Sequence, residues 1–222
     1  MSYRAILFDL DGTLLNTNQL ILASFMHTLE HHCPGKYTEQ DVLAIMGEPL
    51  IDMMRRFDDR QAEQMVETYQ KHNIENHDHY VEPFPHVVEV IKQINQAGIP
   101  MAVVTNKRRP VVEMGLRLFG LDAWMDEVIC VGDAPQAKPE PDLLLLAMER
   151  IQMKPEECLM VGDSRYDLMA AQKAGVACAG VSWSLHLDDL QKYRPDYMLD
   201  DLRDLLEILK LPHSSTGIGK KP

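Results

Sequence analysis

The feature that most limits how this chain can fold is a recurring unit, a short apolar run that stops abruptly at polar residues. Ala5-Ile6-Leu7-Phe8 ends at Asp9-Leu10-Asp11-Gly12, Met101-Ala102-Val103-Val104 ends at Thr105-Asn106, and Cys158-Leu159-Met160-Val161 ends at Gly162-Asp163. Further apolar runs cover Val128-Ile129-Cys130-Val131 and residues 176–181. Runs this short and this continuous read as strands of a parallel sheet buried on both faces. Between them, apolar residues recur at helical spacing: Val87, Val88, Ile91 and Ile94 before Gly98, then Val111, Val112, Leu116 and Leu118 before Gly120. Leu143, Leu146, Ala147 and Ile151 follow Pro141 in the same way. Strand and helix alternate from about residue 85 onward, which predicts an α/β domain with a doubly wound, Rossmann-like parallel sheet.

Residues 16–82 interrupt that alternation. Leu20, Phe25, Met26 and Leu29, and later Met65, Val66 and Tyr69, lie at helical spacing, with breaks near Pro34-Gly35 and Gly47-Glu48-Pro49 and no strand pattern. A small all-helical domain inserted after the first strand is expected, leaving residues 1–15 and 83–211 as the α/β core. The polar stretch 212–222, rich in Gly, Ser and Lys, is expected to be disordered.

Composition narrows the function classes. The chain has 34 acidic and 22 basic residues, a formal net charge of -12. A basic face supplies most nucleic-acid affinity, so no nucleic-acid partner is expected. The same acidity repels anionic substrates, and any phosphate site needs local cations from Lys, Arg or a metal. Cys33, Cys130, Cys158 and Cys178 form no C-x-x-C pair, and free thiols in a reducing compartment are expected. No apolar stretch approaches the roughly 20 residues needed to span a bilayer, and the first strand begins too early for a signal peptide. A cytoplasmic protein without a membrane partner is the expectation.

In open α/β sheets ligands sit outside the carboxyl ends of the strands, so the polar residues that end these runs are candidates for one site. Asp9 and Asp11 alternate along an extended chain and can address one substrate group. One could attack phosphorus while the other protonates the leaving oxygen and later deprotonates water. Read alone, the pair is more simply an acidic turn capping a helix. Gly12 permits a tight turn, and Thr13 could bond a phosphate or cap the next segment of chain. Thr105 and Asn106 could hold phosphate oxygens or form an ordinary N-cap, and Lys107, Arg108 and Arg109 read mostly as solvated charges. In Lys138-Pro139-Glu140-Pro141 the prolines restrict the turn and help to aim Lys138, a compact cation suited to a phosphoryl group. Asp163 and Asp167 lie four apart at an expected helix start, beside Ser164, and hard carboxylate oxygens of this kind suit Mg²⁺. Were these turns to converge, unit charges 4 Å apart would repel by about 4 kcal/mol at an effective dielectric near 20. A divalent cation and Lys138 would be needed to offset them.

These residues resemble the haloacid-dehalogenase-like phosphatases, whose four motifs match, in order, Phe8–Thr13, the Thr105 strand end, Lys138 and Gly162–Asp167. The resemblance implies Asp9 as nucleophile, Asp11 as general acid/base, and Thr105 and Lys138 as phosphate binders. It implies Mg²⁺ held by Asp9, the backbone carbonyl of Asp11 and Asp163, with Asp167 outside the metal's own ligands. The helical insert then resembles the family's cap, which closes over the site. Dehalogenases lack the second aspartate, so Asp11 points to phosphoryl chemistry. A closer resemblance, through 14–18, 27–29, 159–163, 180–183 and 195–200, is to the bacterial inorganic pyrophosphatases that act with HPr kinase/phosphorylase. It implies pyrophosphate as the small anionic substrate and a functional link to that kinase. Phosphoglycolate phosphatases share much of this pattern, and sugar phosphomutases share both aspartates. A short, highly charged substrate should meet the cap through groups such as the Gly47 amide. His72, His77 and His79 are expected in solvent, and His31-His32-Cys33 has no partner cluster to make it a metal site.

Overall fold

The computed structural model describes residues 3–46 and 49–212. Its strands are β1 (Ala5–Phe8), β2 (Leu15–Asn16), β3 (Glu82–Pro83), β4 (Met101–Val104), β5 (Glu127–Ile129), β6 (Cys158–Gly162), β7 (Ala177–Val181) and β8 (Tyr197–Leu199). The helices are α1 (Asn18–His32), α2 (Glu39–Leu43), α3 (Leu50–Asp58), α4 (Ala62–Tyr80), α5 (Val87–Gln96), α6 (Arg109–Leu118), α7 (Asp142–Arg150), α8 (Arg165–Ala174), α9 (Leu187–Lys192) and α10 (Asp204–Ile208).

A six-stranded sheet runs in the order β5-β4-β1-β6-β7-β8, and every pairing within it is parallel. The alternation of side chains along each strand builds two cores. Ile6, Phe8, Met101, Val103, Leu159 and Val161 face α5, α6 and α10, while Ala5, Leu7, Ala102, Val104, Cys158 and Met160 face α7 and α8. Both faces are therefore covered, which is why the strand segments are apolar without a break. The sheet order reverses at β1, whose neighbours β4 and β6 lie far away in sequence. The crevice at such a reversal is where open α/β sheets bind ligands.

Helices α1 to α4 make a separate apolar cluster around Phe25, Leu29, Met54, Met65 and Tyr69. The chain enters and leaves this bundle through one antiparallel ribbon, Leu15 opposite Pro83 and Asn16 opposite Glu82. The expectation of no strand within 16–82 is corrected at its two ends. A strand of two residues carries no readable alternation. Strand β8 likewise has no counterpart among the expected strands, and β5 starts one residue earlier than the apolar run, with Cys130 and Val131 outside it. His77 also departs from expectation, being 1% exposed. Helix α4 crosses α6 closely there, and a Cβ on Gly115 would lie 3.4 Å from His77 Nε2 and 2.8 Å from Leu15 Cδ1. All four cysteines are free and buried. Among the described residues, no helix is long and apolar enough to cross a membrane.

Candidate active site

Parallel strands place all their carboxyl ends on one side, so the polar residues that end β1, β4 and β6 meet there with the loop after β5. Lys138, 3% exposed, is the centre of this cluster. Its Nζ donates to Asp9 Oδ1 at 2.8 Å, to the Val104 carbonyl at 2.8 Å and to Asp167 Oδ1 at 2.5 Å. An ammonium has three donors, and all three are used. The loop that carries it has a cis peptide at Lys138-Pro139. It is tied to β4 by Asn106, whose Nδ2 donates to the Lys138 carbonyl at 2.8 Å and whose Oδ1 accepts from the Lys138 N–H at 2.9 Å. Asn106, expected on the phosphate, thus has both ends of its amide engaged in holding the lysine.

Asp9, Asp163 and Asp167 bring one carboxylate oxygen each within 4.8 Å of one another. Such proximity demands room. Gly12 has φ 77°, and a Cβ there would collide with the Asp163 carboxylate; a Cβ on Gly162 would collide with Asp167. Asp167 is fully engaged. Its Oδ1 takes Lys138, and its Oδ2 accepts the Ser164 N–H at 3.0 Å and the Ser164 hydroxyl at 2.6 Å, closing a capping box at the start of α8. Asp163 faces its acidic neighbours. Crowding sets the electrostatics. Burial pushes the Asp9 carboxyl up to about 7, against the pull of Lys138. Burial, then Asp167 and Asp9, push Asp163 well above the usual carboxylate range. Burial also works against the Lys138 ammonium, but Asp167 and Asp9 outweigh it and raise its pKa. Two crowded hard-oxygen carboxylates whose ionised forms are disfavoured are the donor set that a small divalent cation would stabilise.

Thr105 is 2% exposed, and its Oγ1 accepts the Lys107 N–H at 3.2 Å. Thr13 is fully buried, with a hydroxyl that finds no partner among the described residues. Gly47 lies outside the described residues. Asp11 sits at the mouth, where its Oδ1 accepts from Lys107 Nζ at 2.8 Å. Lys107 is therefore no solvated surface charge, since its side chain is 17% exposed. The loop after β7 adds two supports that motif reasoning did not single out. Trp183 Nε1–H donates to the Gly12 carbonyl at 3.1 Å, and the Ser184 hydroxyl donates to the Asp163 carbonyl at 2.6 Å. The available signal was positional, because Ser182-Trp183-Ser184 ends an apolar strand just as the other site turns do.

The helical bundle overhangs this side of the sheet. Arg108 Nη1 donates to Gln70 of α4 at 3.1 Å. Ala44, Ile45 and Met46 face Ser164, Arg165, Tyr166, His186 and Asp189 across a cavity of about 170 Å³. The site is thus a charged strand-end floor under a helical roof.

Comparison with known proteins agrees with this geometry. The family model of haloacid dehalogenase-like hydrolases matches residues 6–181. A protein named pyrophosphatase PpaX from Bacillus cereus is 43% identical over 210 residues, covering 94% of this chain and 97% of its own. A protein of the same name from Halalkalibacterium halodurans is 42% identical, covering 94% and 98%. Among solved structures, a haloacid dehalogenase-like family hydrolase from Streptococcus pneumoniae superposes with a TM-score of 0.83 at 22% identity, covering 92% of this chain and 97% of its own. One described as a predicted phosphoglycolate phosphatase from Haemophilus somnus gives 0.82 at 27% identity, covering 94% and 98%.

Proposed function

This chain belongs to the haloacid dehalogenase-like hydrolases, and we propose that it cleaves inorganic pyrophosphate to phosphate with Mg²⁺, through an aspartyl-phosphate on Asp9. The observation that carries this reading is the meeting of Asp9, Asp163 and Lys138 at one strand-end crevice. The name shared by the 42–43% identical relatives supports pyrophosphate as the substrate.

Asp9, Asp163 and the backbone carbonyl of Asp11 would hold Mg²⁺, and the donor set fits a hard cation. When bound, the ion would neutralise charge on the transferring phosphoryl group. The remaining work falls to the chain. Lys138 fixes Asp9 through Oδ1, leaving Oδ2 as the oxygen to bond phosphorus. Asp167 and Ser164 hold Lys138 and the start of α8, and Asn106 holds the lysine's backbone. The Thr105 hydroxyl already accepts from the Lys107 amide, so its own proton can go to a phosphate oxygen. Asp11 gives a proton to the leaving oxygen and later takes one from the water that attacks the phospho-aspartate. Residues 16–82 act as a cap over the core formed by 1–15 and 83–211, excluding bulk water during transfer. Four buried thiols suit a reducing compartment and a cytoplasmic location. The functional link to HPr kinase/phosphorylase would be the removal of pyrophosphate.

A second reading, phosphoglycolate phosphatase, is favoured by the structural neighbour of that name. Phosphate release from pyrophosphate and from 2-phosphoglycolate, with Mg²⁺ and with a chelator, separates the two. Strong pyrophosphate turnover that the chelator removes is expected. Negligible pyrophosphate turnover beside strong 2-phosphoglycolate turnover would transfer the assignment to the second reading.

A further inference from the structure

We propose that Lys107 selects an anionic leaving group, its ammonium neutralising the phosphate that departs when a phosphoryl group passes to Asp9. The inference rests on the pyrophosphate reading and names the residue that would make it specific.

The site has two lysines in contrasting situations. Lys138 is buried, and its three donors are taken by Asp9, Asp167 and the Val104 carbonyl. Lys107 lies at the mouth with its side chain 17% exposed, and its ammonium meets Asp11 alone among the described residues. Two of its three N–H donors therefore remain for a ligand. Its placement is firm. It directly follows Thr105-Asn106 at the end of β4, and its own amide donates to Thr105 Oγ1 at 3.2 Å.

Asp11 marks where the leaving group lies, because it delivers the proton to the departing oxygen. In pyrophosphate cleavage an Asp9 carboxylate oxygen bonds to phosphorus while the bond from that phosphorus to the bridging oxygen breaks. The electron pair stays on the bridging oxygen, which takes the proton from Asp11. A departing alcohol is then neutral. A departing phosphate still carries negative charge on its other oxygens, close to Asp11 in a chain of net charge -12. Lys107, bound to Asp11 at 2.8 Å, is placed to offset that charge. The opposite wall comes from α4. Arg108, the next residue after Lys107, donates to Gln70 of α4 at 3.1 Å. The leaving-group space thus lies between Asp11, Lys107 and α4.

The test compares wild type, Lys107→Gln and Lys107→Arg in steady-state hydrolysis of pyrophosphate and of glycerol 2-phosphate, whose alcohol leaving group departs neutral once protonated. Lys107→Gln should lose about 100-fold in kcat/KM for pyrophosphate, the scale of removing one preorganised charge donor. Its loss on glycerol 2-phosphate should be at least about tenfold smaller. Lys107→Arg should recover most of the pyrophosphate loss and shows that the fold tolerates change there. Competitive inhibition by imidodiphosphate should weaken in Lys107→Gln and return in Lys107→Arg. Equal losses on both substrates, with a shifted pH profile, would mean that Lys107 only orients Asp11 and would overturn the inference. Unchanged pyrophosphate kinetics would overturn it as well. Wild type that turns over glycerol 2-phosphate but not pyrophosphate would instead remove the reading beneath it.

Discussion

The floor and the roof of the cleft handle buried polarity in opposite ways. On the floor, formal charges are packed together: Asp9, Asp163 and Asp167 surround Lys138, all attached to strand ends or the turns beside them. In the roof the buried polar groups include no carboxylate, ammonium or guanidinium among the described residues. Ser24 and Asn73 are buried, with Asn73 Nδ2 donating to Ser24 Oγ and Tyr69 Oη at 3.4 Å each, and His72 Nδ1 lies 3.1 Å from the same serine. The ring of His72 stacks on His27 at 4.4 Å, and burial lowers the His72 pKa, with His27 adding to the effect. The difference teaches where each kind of work is done. Crowded charge is tolerated where backbone and glycines hold it rigidly and a ligand can relieve it. A helical bundle with no such ligand inside it is better built from uncharged hydrogen bonds, whose desolvation cost is small beside that of an unpaired ion.

The sharpest way to break this contrast is Asp9→Asn. Turnover of pyrophosphate should fall by more than about 10⁴-fold, the scale seen when a nucleophile is removed. Stability should move the other way. A carboxyl held at about 7 in the fold is costly to ionise, so a neutral amide at pH 8 without metal should raise Tm by a few degrees, on the order of 1–3 kcal/mol. Loss of both activity and stability would show that the Asp9–Lys138 pair is a net structural asset and that the floor is not strained by its charges.

A smaller effect is expected from the cation itself. Asp9 is raised to about 7 and Asp163 is raised too, above the unfolded carboxyl value of about 3.9. A raised folded-state pKa gives stability that is complete below the unfolded value and is lost as pH rises through the folded one. The metal-free protein should therefore weaken as pH rises from about 4 through 7 and beyond. Mg²⁺ should raise Tm more at pH 8 than at pH 5.5. Equal shifts at both pH values in thermal melts would place the binding energy elsewhere than these carboxylates.

The same contrast explains what was legible from sequence. The floor could be read because Asp9, Thr105 and Asp163 each lie where an apolar run ends, and period and punctuation are local signals. Lys138 stood out because Pro139 and Pro141 follow it closely. The pairings were less visible, since they depend on which loops the sheet order places side by side. Nothing near Lys107 announces Asp11, 96 positions away, and nothing near Asn106 announces that its amide will grip the backbone of Lys138. Ser184 and Trp183 reach the floor from a fifth strand end whose residues carry no catalytic signature. In the roof, helical spacing picked out Leu20, Phe25, Met26, Leu29, Met65, Val66 and Tyr69, of which all but Met26 and Val66 are buried, and those two pack partly buried against the same helical cluster. Yet His77 was misplaced, because its burial comes from α6 crossing at a glycine rather than from any feature of α4.

The smallest effect probes the roof. Ser24 is fully buried on α1, where its hydroxyl donates to the Leu20 carbonyl at 2.7 Å and its oxygen accepts from Asn73 of α4. Ser24→Ala removes that acceptor and leaves Asn73 Nδ2 with Tyr69 Oη alone among the described residues. It also relieves a back-bond that competes with the α1 ladder, so the net cost should be about 1 kcal/mol, a drop of roughly 2–4 °C in Tm for a chain of this size. Turnover of p-nitrophenyl phosphate should stay within about twofold of wild type, since no charge on the floor depends on Ser24. A loss of activity with no change in Tm would mean that the neutral network is tuned to the reaction, and the division between a reacting floor and a structural roof would fail.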